Sequence, residues 1–193
     1  MLTPHITYKE TNHMEPMELI AQGIGIIAMT FNILSYQGKT KRTVILMQLI
    51  GTFLFTLNFA LLGATIGALM NGIGFIRAII FVNKDKFHAE RIGWLIGFLI
   101  VFTLMYPVTF LVFDKEPTLR NFILELLPVI GMCAGTVGYY MKEARHVRKL
   151  ALIGSPCWLI YNVFTGSIGG ILCEVFSLVS VVIGMLRYDR KKQ

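Results

Sequence analysis

Charged residues are scarce in this sequence. They make up 15% of its 193 residues, whereas 55% are hydrophobic and the mean hydropathy is +0.66. Average soluble chains carry about 25% charged residues, because a folded domain needs polar cover on its surface. The composition therefore excludes a soluble globular domain and predicts an all-α membrane protein that crosses the lipid bilayer several times.

Motifs that carry catalysis are also missing. The sequence contains no HExxH, C-x-x-C, G-x-S-x-G or P-loop pattern, and no pair of intramembrane aspartates. Its three cysteines, Cys133, Cys157 and Cys173, lie in apolar segments, so we expect them to be packed core residues. The loop histidines lack the spacing of metal ligands. We therefore predict that the protein is not an enzyme and has no catalytic residue, metal or cofactor.

The basic residues occur in short clusters between the apolar runs. The net charge is +7, but no basic face is long enough for nucleic acid, so we expect no such partner. Cytoplasmic loops of membrane proteins carry an excess of lysine and arginine. Fifteen of these residues fall on one predicted side of the membrane, and three, Lys9, Lys115 and Arg120, fall on the other. The asymmetry predicts an outside N-terminus, a cytoplasmic C-terminus and an odd number of spans.

Seven apolar segments are predicted to be spanning helices, each of which needs about 20 residues. The second and third form one apolar stretch, which must turn at Gly63-Ala64-Thr65. The sixth and seventh turn likewise at Gly166-Ser167. The predicted spans are 18–37, 43–63, 66–82, 92–113, 122–140, 150–166 and 168–187.

The second half of the chain repeats the first. With Asn58 set against Asn162, "GTFLFTLNF" aligns with "SPCWLIYNV", and after a one-residue gap "GATIGALMNGIGFI" aligns with "GSIGGILCEVFSLV". An odd linker between two three-helix repeats makes them parallel and places a pathway between them. Chance similarity of two apolar segments is the alternative. The predicted parts are a polar extension at 1–17, a first repeat at 18–82, a linker helix at 92–113, a second repeat at 122–187 and a basic tail at 188–193.

Polar side chains of both repeats fall at one depth. Counting about 1.5 Å per residue from the helix ends places Asn58, Asn71, Asn162 and Glu174 in one layer near the outer face, with Trp158 about 6 Å deeper. An aromatic platform below polar groups suits a small, ring-shaped polar ligand. These five residues are the predicted substrate-binding site.

Structural interpretations stand beside this one. A lone asparagine in a membrane helix more often joins helices, which favours that role for Asn58. Glu174 alternatively bonds to Asn162 or Ser177, and Arg77 is close enough to the inner end of its helix to extend to the interface. We expect the paired glycines, including Gly93 and Gly97, to allow close helix contact.

Two prolines of the second repeat are predicted hinges. Pro128 and Pro156 each remove a backbone hydrogen bond and can kink a helix. Their aligned positions in the first repeat hold other residues, Thr52 for Pro156 and about Gln22 for Pro128.

Short stretches carry a resemblance to known families. "NGIGFI" at 71–76, "CWLIYN" at 157–162 and the three-one-three layout resemble the SWEET and PQ-loop (MtN3-like) transporter superfamily. The resemblance implies a central substrate site with Trp158 as the stacking residue and Asn71 as a substrate contact. Two positions depart from the pattern, because Leu54 replaces the first tryptophan and Glu174 the second asparagine.

A resemblance to one family covers most of the chain. "LIAQGIGIIA", "ELLPVIG", "CWLIYN" and "GSIGG" look like stretches of the bacterial inner-membrane YgjV family, from about residue 18 to 189. This implies a bacterial inner membrane but no substrate.

The sequence thus favours a transporter or facilitator of a small polar solute, sugar- or nucleoside-like. Glu174 suggests cation preference or proton coupling as a further hypothesis. A non-transporting receptor or accessory protein is the alternative, and a homo-oligomer is left open.

Overall fold

All regular structure in the computed structural model, which describes residues 16–165 and 167–189, is helical. The predicted extension 1–17 and tail 188–193 fall largely outside these ranges. The eight helices are α1 (Pro16–Ser35), α2 (Lys41–Leu61), α3 (Thr65–Val82), α4 (Lys84–Phe87), α5 (Ile92–Leu111), α6 (Leu119–Tyr140), α7 (Ala144–Thr165) and α8 (Ile168–Tyr188).

Five of these helices, α1, α2, α5, α6 and α8, are long and apolar enough to cross a membrane. The apolar part of α3, Ile66–Val82, is shorter. Helix α7 begins with the polar run "ARHVRK". The outward faces of the long helices carry large exposed hydrophobic side chains such as Ile20, Ile100 and Ile183. Membrane-embedded helices place such side chains against lipid.

The predicted spans match seven of the helices closely, and the largest difference is at the start of α7. This helix begins at Ala144, six residues before the predicted start at 150. Hydropathy identifies the apolar part of a helix, whereas the backbone continues through the basic residues that precede it. The four-residue helix α4 was not predicted, because one turn leaves no periodic pattern.

The predicted turn at 63–65 lies between α2 and α3. Gly63 has a φ of 69°, a left-handed conformation that glycine adopts without a steric cost. At the second predicted turn, Gly166 lies outside the described residues. Ser167 there caps α8, because its Oγ accepts a hydrogen bond from the Gly170 amide at 3.2 Å.

Six helices pack in a ring, in the order α1, α2, α3, α6, α7, α8 and back to α1. Helix α5 lies outside the ring against α6 and α3. The largest apolar cluster forms at this junction and includes Phe81, Phe98, Phe102 and Met132. The ring is therefore closed by contacts between the first and second halves of the chain, α1 with α8 and α3 with α6.

The expectation for Gly93 and Gly97 is wrong. A Cβ at either position would meet nothing within 4 Å. Both glycines are on α5, which is in contact with the ring over only part of its surface. The expectation is also wrong for Gly63, but it is confirmed at Gly67, Gly131 and Gly170, where a Cβ would lie within 3 Å of a neighbouring side chain. Gly25 packs as closely and was not among the predicted pairs.

Candidate functional site

A cavity of about 130 Å³ lies between the six ring helices. Each ring helix contributes side chains to its wall, whereas α5 contributes none. The wall is rich in polar groups for the interior of a membrane protein. These groups include Asn32, Gln48, Asn71, Arg77, Ser155, Asn162, Glu174 and Ser177.

Four of the five predicted site residues line this cavity: Asn71, Trp158, Asn162 and Glu174. Asn71 and Glu174 each lie six residues after the first residue of their helices. At about 1.5 Å per residue, both are roughly 9 Å below the ends of those helices. The two positions that the repeat alignment pairs therefore have the same depth in the ring.

Asn58 lies elsewhere, between α1 and α2. Its side chain is 1% exposed, and its Nδ2 donates a hydrogen bond to the Ala21 carbonyl oxygen at 2.6 Å. Gly25 makes room for it, because a Cβ there would lie 2.9 Å from Nδ2. The geometry matches the interhelical interpretation of this residue.

Asn162, which the alignment pairs with Asn58, turns toward α8 instead. A Cβ on Gly170 would lie 2.5 Å from Asn162 Cγ, so the absence of a side chain on Gly170 creates the space. At the aligned position between α2 and α3, the space beside Gly67 is filled by the Phe59 ring, 2.9 Å from the position of a Cβ. Asn162 Oδ1 has no hydrogen-bond partner among the described residues. Asn162 therefore lines the cavity with an amide whose oxygen is enclosed in this conformation.

Glu174 is half-buried, and it is a wall residue of the cavity. In the described part of the chain, no hydrogen bond joins it to Asn162 or Ser177, and no lysine or arginine lies within ion-pairing distance. Neither Asn162 nor Ser177, the two partners expected from the structural interpretation, is therefore bonded to Glu174.

Trp158 lies against the backbone of α6. A Cβ on Gly131 would be 2.6 Å from the indole Nε1, so only glycine leaves space for the ring in this orientation. The indole packs edge-on against Tyr161, with 5.7 Å between ring centroids. The tryptophan is thus held at the wall by one glycine and one aromatic neighbour.

Arg77 is the main site residue that the sequence interpretation missed. The predicted extension to the membrane interface is wrong, since the side chain is 5% exposed and turned into the ring. Its Nη1 donates hydrogen bonds to the Met132 carbonyl oxygen and to Thr136 Oγ1, both at 2.8 Å. Side chains in a helix lean toward the helix N-terminus. For Arg77 this direction leads away from Val82, the nearer end of α3.

The guanidinium of Arg77 rests on aromatic rings. Its Cζ lies 4.6 Å from the centroid of the Tyr139 ring and 5.3 Å from that of Phe102. The Tyr139 hydroxyl in turn donates to Gln48 Oε1 at 2.8 Å, which joins α6 to α2 across the cavity. The only sequence signal for this cluster is an arginine within an apolar helix.

Two ion pairs with a buried member lie near the helix ends. Arg148, 2% exposed, donates from Nη2 to Asp189 Oδ1 at 2.5 Å and from Nε to Oδ2 at 3.1 Å. Lys115 Nζ lies 3.0 Å from Oε1 of Glu125, a side chain that is 3% exposed. Sequence gives no signal for either pair, because pairing depends on which helix ends meet.

The predicted hinge prolines lie inside helices that continue on both sides of them. Pro128 is in α6 and is buried, and Pro156 is in α7. Helix α5 contains a further proline, Pro107.

Comparisons with known proteins agree on one family. Residues 19–192 match the family model Imp-YgjV, described as "Bacterial inner membrane protein". The inner membrane protein YgjV of Escherichia coli (strain K12) is 26% identical over 184 residues, which cover 90% of this chain and 87% of that protein. No solved structure matches the chain.

Proposed function

We propose that this chain, which belongs to the Imp-YgjV family of bacterial inner membrane proteins, is a transporter or facilitator of a small polar solute. The solute would pass through the cavity in the ring, and α5 would be the linker outside it. The observation that carries the proposal is the cavity itself, to which all six ring helices contribute and in which polar groups of both halves meet.

The proposed architecture is seven spanning helices in a three-one-three arrangement similar to that of SWEET and PQ-loop transporters. Helices α1 to α3 form one repeat and α6 to α8 the other. Reciprocal packing supports it, since the first helix of each triplet packs against the third helix of the other. A two-fold relation between parallel repeats about an axis along the membrane normal has this contact pattern.

The proposed orientation has the N-terminus outside and the C-terminus in the cytoplasm. The loop between α6 and α7 and the start of α7 are strongly basic, with Lys142, Arg145 and Lys149. The loop between α5 and α6 has Lys115 together with Asp114 and Glu116. The excess of basic residues in cytoplasmic loops supports this orientation.

The size of the cavity supports a solute with a single ring. An engineered apolar cavity of about 150 Å³ accepts a benzene molecule. The cavity of about 130 Å³ is of similar size, which limits the solute to about one six-membered ring in this conformation. Trp158 supplies a face for stacking, and Asn71, Asn162 and Glu174 supply polar contacts. These features fit a sugar-like solute, whereas a nucleoside-like solute, with at least two rings, needs a wider conformation of the cavity.

Transport also requires the cavity to open to both sides in turn. Alternating access in transporters with repeats is largely a movement of one repeat against the other around a fixed site. We assign Pro128 and Pro156 as hinges of that movement, because a proline leaves one backbone carbonyl of its helix without an intrahelical partner. The proposal assigns no catalytic residue.

A binding screen followed by an uptake assay tests the proposal. Purified protein is screened by thermal shift against sugars, nucleosides and other small metabolites, and solutes that stabilise it are assayed for uptake into proteoliposomes. We expect at least one solute to stabilise the wild-type protein, to lose that effect in Trp158→Ala, and to enter proteoliposomes faster than protein-free liposomes. No stabilising solute, or one that binds without being taken up, would contradict transport and favour a receptor or accessory role.

A further inference from the structure

Two donor nitrogens of Arg77 have no hydrogen-bond partner among the described residues. Both hydrogen bonds of its guanidinium leave from Nη1, to Met132 and Thr136. Within residues 16–165 and 167–189, Nε is enclosed and has no partner, and Nη2 donates to no other atom. Buried polar groups are nearly always hydrogen-bonded, so an unpaired donor at a cavity wall requires an explanation.

The unused atoms form one edge of the planar guanidinium. Nε and Nη2 point their hydrogens in parallel, and such a fork matches the two oxygens of a carboxylate. Arg148 uses the same edge in this protein, with Nε on Asp189 Oδ2 and Nη2 on Oδ1. Asp189 thus binds the Nε and Nη2 edge of Arg148, whereas the same edge of Arg77 has no such partner among the described residues.

Arg77 also lacks a negatively charged partner in the part of the chain that the structure describes. No carboxylate of the described residues lies within ion-pairing distance of it, and the rings of Tyr139 and Phe102 lie beside its guanidinium. Glu174 lines the same cavity but belongs to the outer layer with Asn71. The Cα of Arg77 lies six residues beyond that of Asn71 along α3, roughly 9 Å deeper, and its side chain leans back toward the layer of Asn71. An unpaired charge inside a membrane protein generally marks a ligand or ion pathway.

We propose that the solute of this cavity is a small organic carboxylate, whose carboxylate group binds the Nε and Nη2 edge of Arg77. Hydroxyl or amino groups at its other end donate to Glu174 and to Asn162 Oδ1. Binding requires a rotation of the guanidinium and of the Asn162 amide, because Nε and Oδ1 are enclosed in this conformation. The inference rests on the proposed function, to which it adds the charge and orientation of the solute.

Matched pairs of probes test the inference on the intact protein. Glucuronate and glucose have the same ring and differ at one carbon, and glycerate and glycerol differ likewise. Affinity for each probe is measured by thermal shift on purified protein at constant ionic strength. Charge-assisted hydrogen bonds are stronger than neutral ones, so we expect at least one carboxylate to bind about tenfold or more tightly than its neutral partner.

Two variants of Arg77 test whether this residue causes the preference for carboxylates. Arg77→Gln removes the charge, and Arg77→Lys keeps the charge but lacks the fork. Both are expected to bind the carboxylate about tenfold or more weakly, with the affinity for the neutral partner nearly unchanged. Arg187→Gln is the matched control, because Arg187 is an exposed arginine at the cytoplasmic end of α8. It should bind like the wild type.

The outcomes separate this inference from the proposed function. Equal affinity for both members of each pair in the wild-type protein, or no binding of any of the four probes, overturns the inference even if the Arg77 variants fail to fold. Uptake of neutral solutes without preference for carboxylates overturns it and leaves transport standing. Preferential carboxylate binding that depends on Arg77, without uptake into proteoliposomes, supports the anion site and contradicts transport.

Discussion

At the scale of single residues, glycines decide which polar side chains reach the cavity. Trp158 reaches the wall beside Gly131, and Asn162 does so beside Gly170, because a Cβ at either glycine would lie within 2.6 Å of the neighbouring side chain. Asn58 occupies an aligned position but packs against Gly25 on the other side. A side chain added at one of these glycines should therefore alter the cavity directly.

Gly131→Ala tests this at the tryptophan. The added Cβ would lie 2.6 Å from Trp158 Nε1, so the indole must move. We expect a loss of about 1 to 3 kcal/mol in the free energy of unfolding from overpacking, together with loss of solute binding. Gly97→Ala is the control, since a Cβ there meets nothing within 4 Å and alanine favours a helix over glycine. Thermal unfolding and ligand-induced shifts of both variants measure the effect, and wild-type solute binding by Gly131→Ala would contradict it.

Glu174→Gln tests proton coupling. Glutamine keeps the shape of the side chain and cannot exchange a proton. If Glu174 couples protons, uptake by the wild-type protein should respond to a pH gradient across the proteoliposome membrane, and uptake by Glu174→Gln should not. Equal uptake by both proteins, with and without the gradient, would rule out coupling through this residue.

Sequence could predict which residues are polar and how deep they lie, but not all of their directions. Asn71 and Glu174 were placed by counting from helix ends, a procedure that depends only on helix geometry. The orientations of the Asn58 and Asn162 side chains depend on which residue fills the space beside a glycine of the neighbouring helix. Phe59 fills it beside Gly67, and Asn162 fills it beside Gly170. That is a property of three-dimensional packing, as is the inward turn of Arg77.

At the scale of elements, Arg148 holds three parts of the chain together at one end of the ring. It lies in α7, pairs with Asp189 just after α8, and donates from Nη1 to the Gly38 carbonyl oxygen between α1 and α2 at 3.2 Å. Val147, next to it, lines the cavity. The pair therefore fixes the helix ends that close this end of the ring.

Removal of this arginine should destabilise the fold strongly. Arg148→Met leaves Asp189 without its cation, and loss of one member of a buried ion pair costs about 3 kcal/mol or more. Arg145→Met is the control, because its partner Glu143 is 42% exposed and surface pairs contribute about 1 kcal/mol at most. Chemical or thermal unfolding in detergent compares them. Equal stability of the two variants would show that Arg148 has no such role.

Helix positions were largely predictable because apolar runs of membrane length leave few alternatives to a helix. The turn at Gly63 was predictable for the same reason, since the apolar stretch around it is too long for one span. The start of α7 and the whole of α4 were not, because hydropathy carries no information about a polar helical turn.

At the scale of the whole molecule, the proposed orientation can be tested by labelling. In a variant with Cys133, Cys157 and Cys173 replaced by serine, single cysteines are introduced at the exposed positions Glu116 and Lys142. We expect a membrane-impermeant thiol reagent to label position 116 in intact cells and position 142 only after permeabilisation. Labelling of position 142 in intact cells would contradict a cytoplasmic loop between α6 and α7.

The central claim is that the cavity in the ring is the route of a solute, and filling the cavity tests it most directly. Ala151 lines the cavity, whereas Ile153, two residues further along α7, is 52% exposed on the outer surface. Uptake of labelled sugars, nucleosides and small carboxylates is measured in proteoliposomes with wild-type protein, Ala151→Phe and Ile153→Phe. We predict uptake of at least one solute by the wild type and Ile153→Phe, and uptake at the level of protein-free liposomes by Ala151→Phe. Uptake by a correctly folded Ala151→Phe at the wild-type rate, or no uptake by the wild type, would contradict the account.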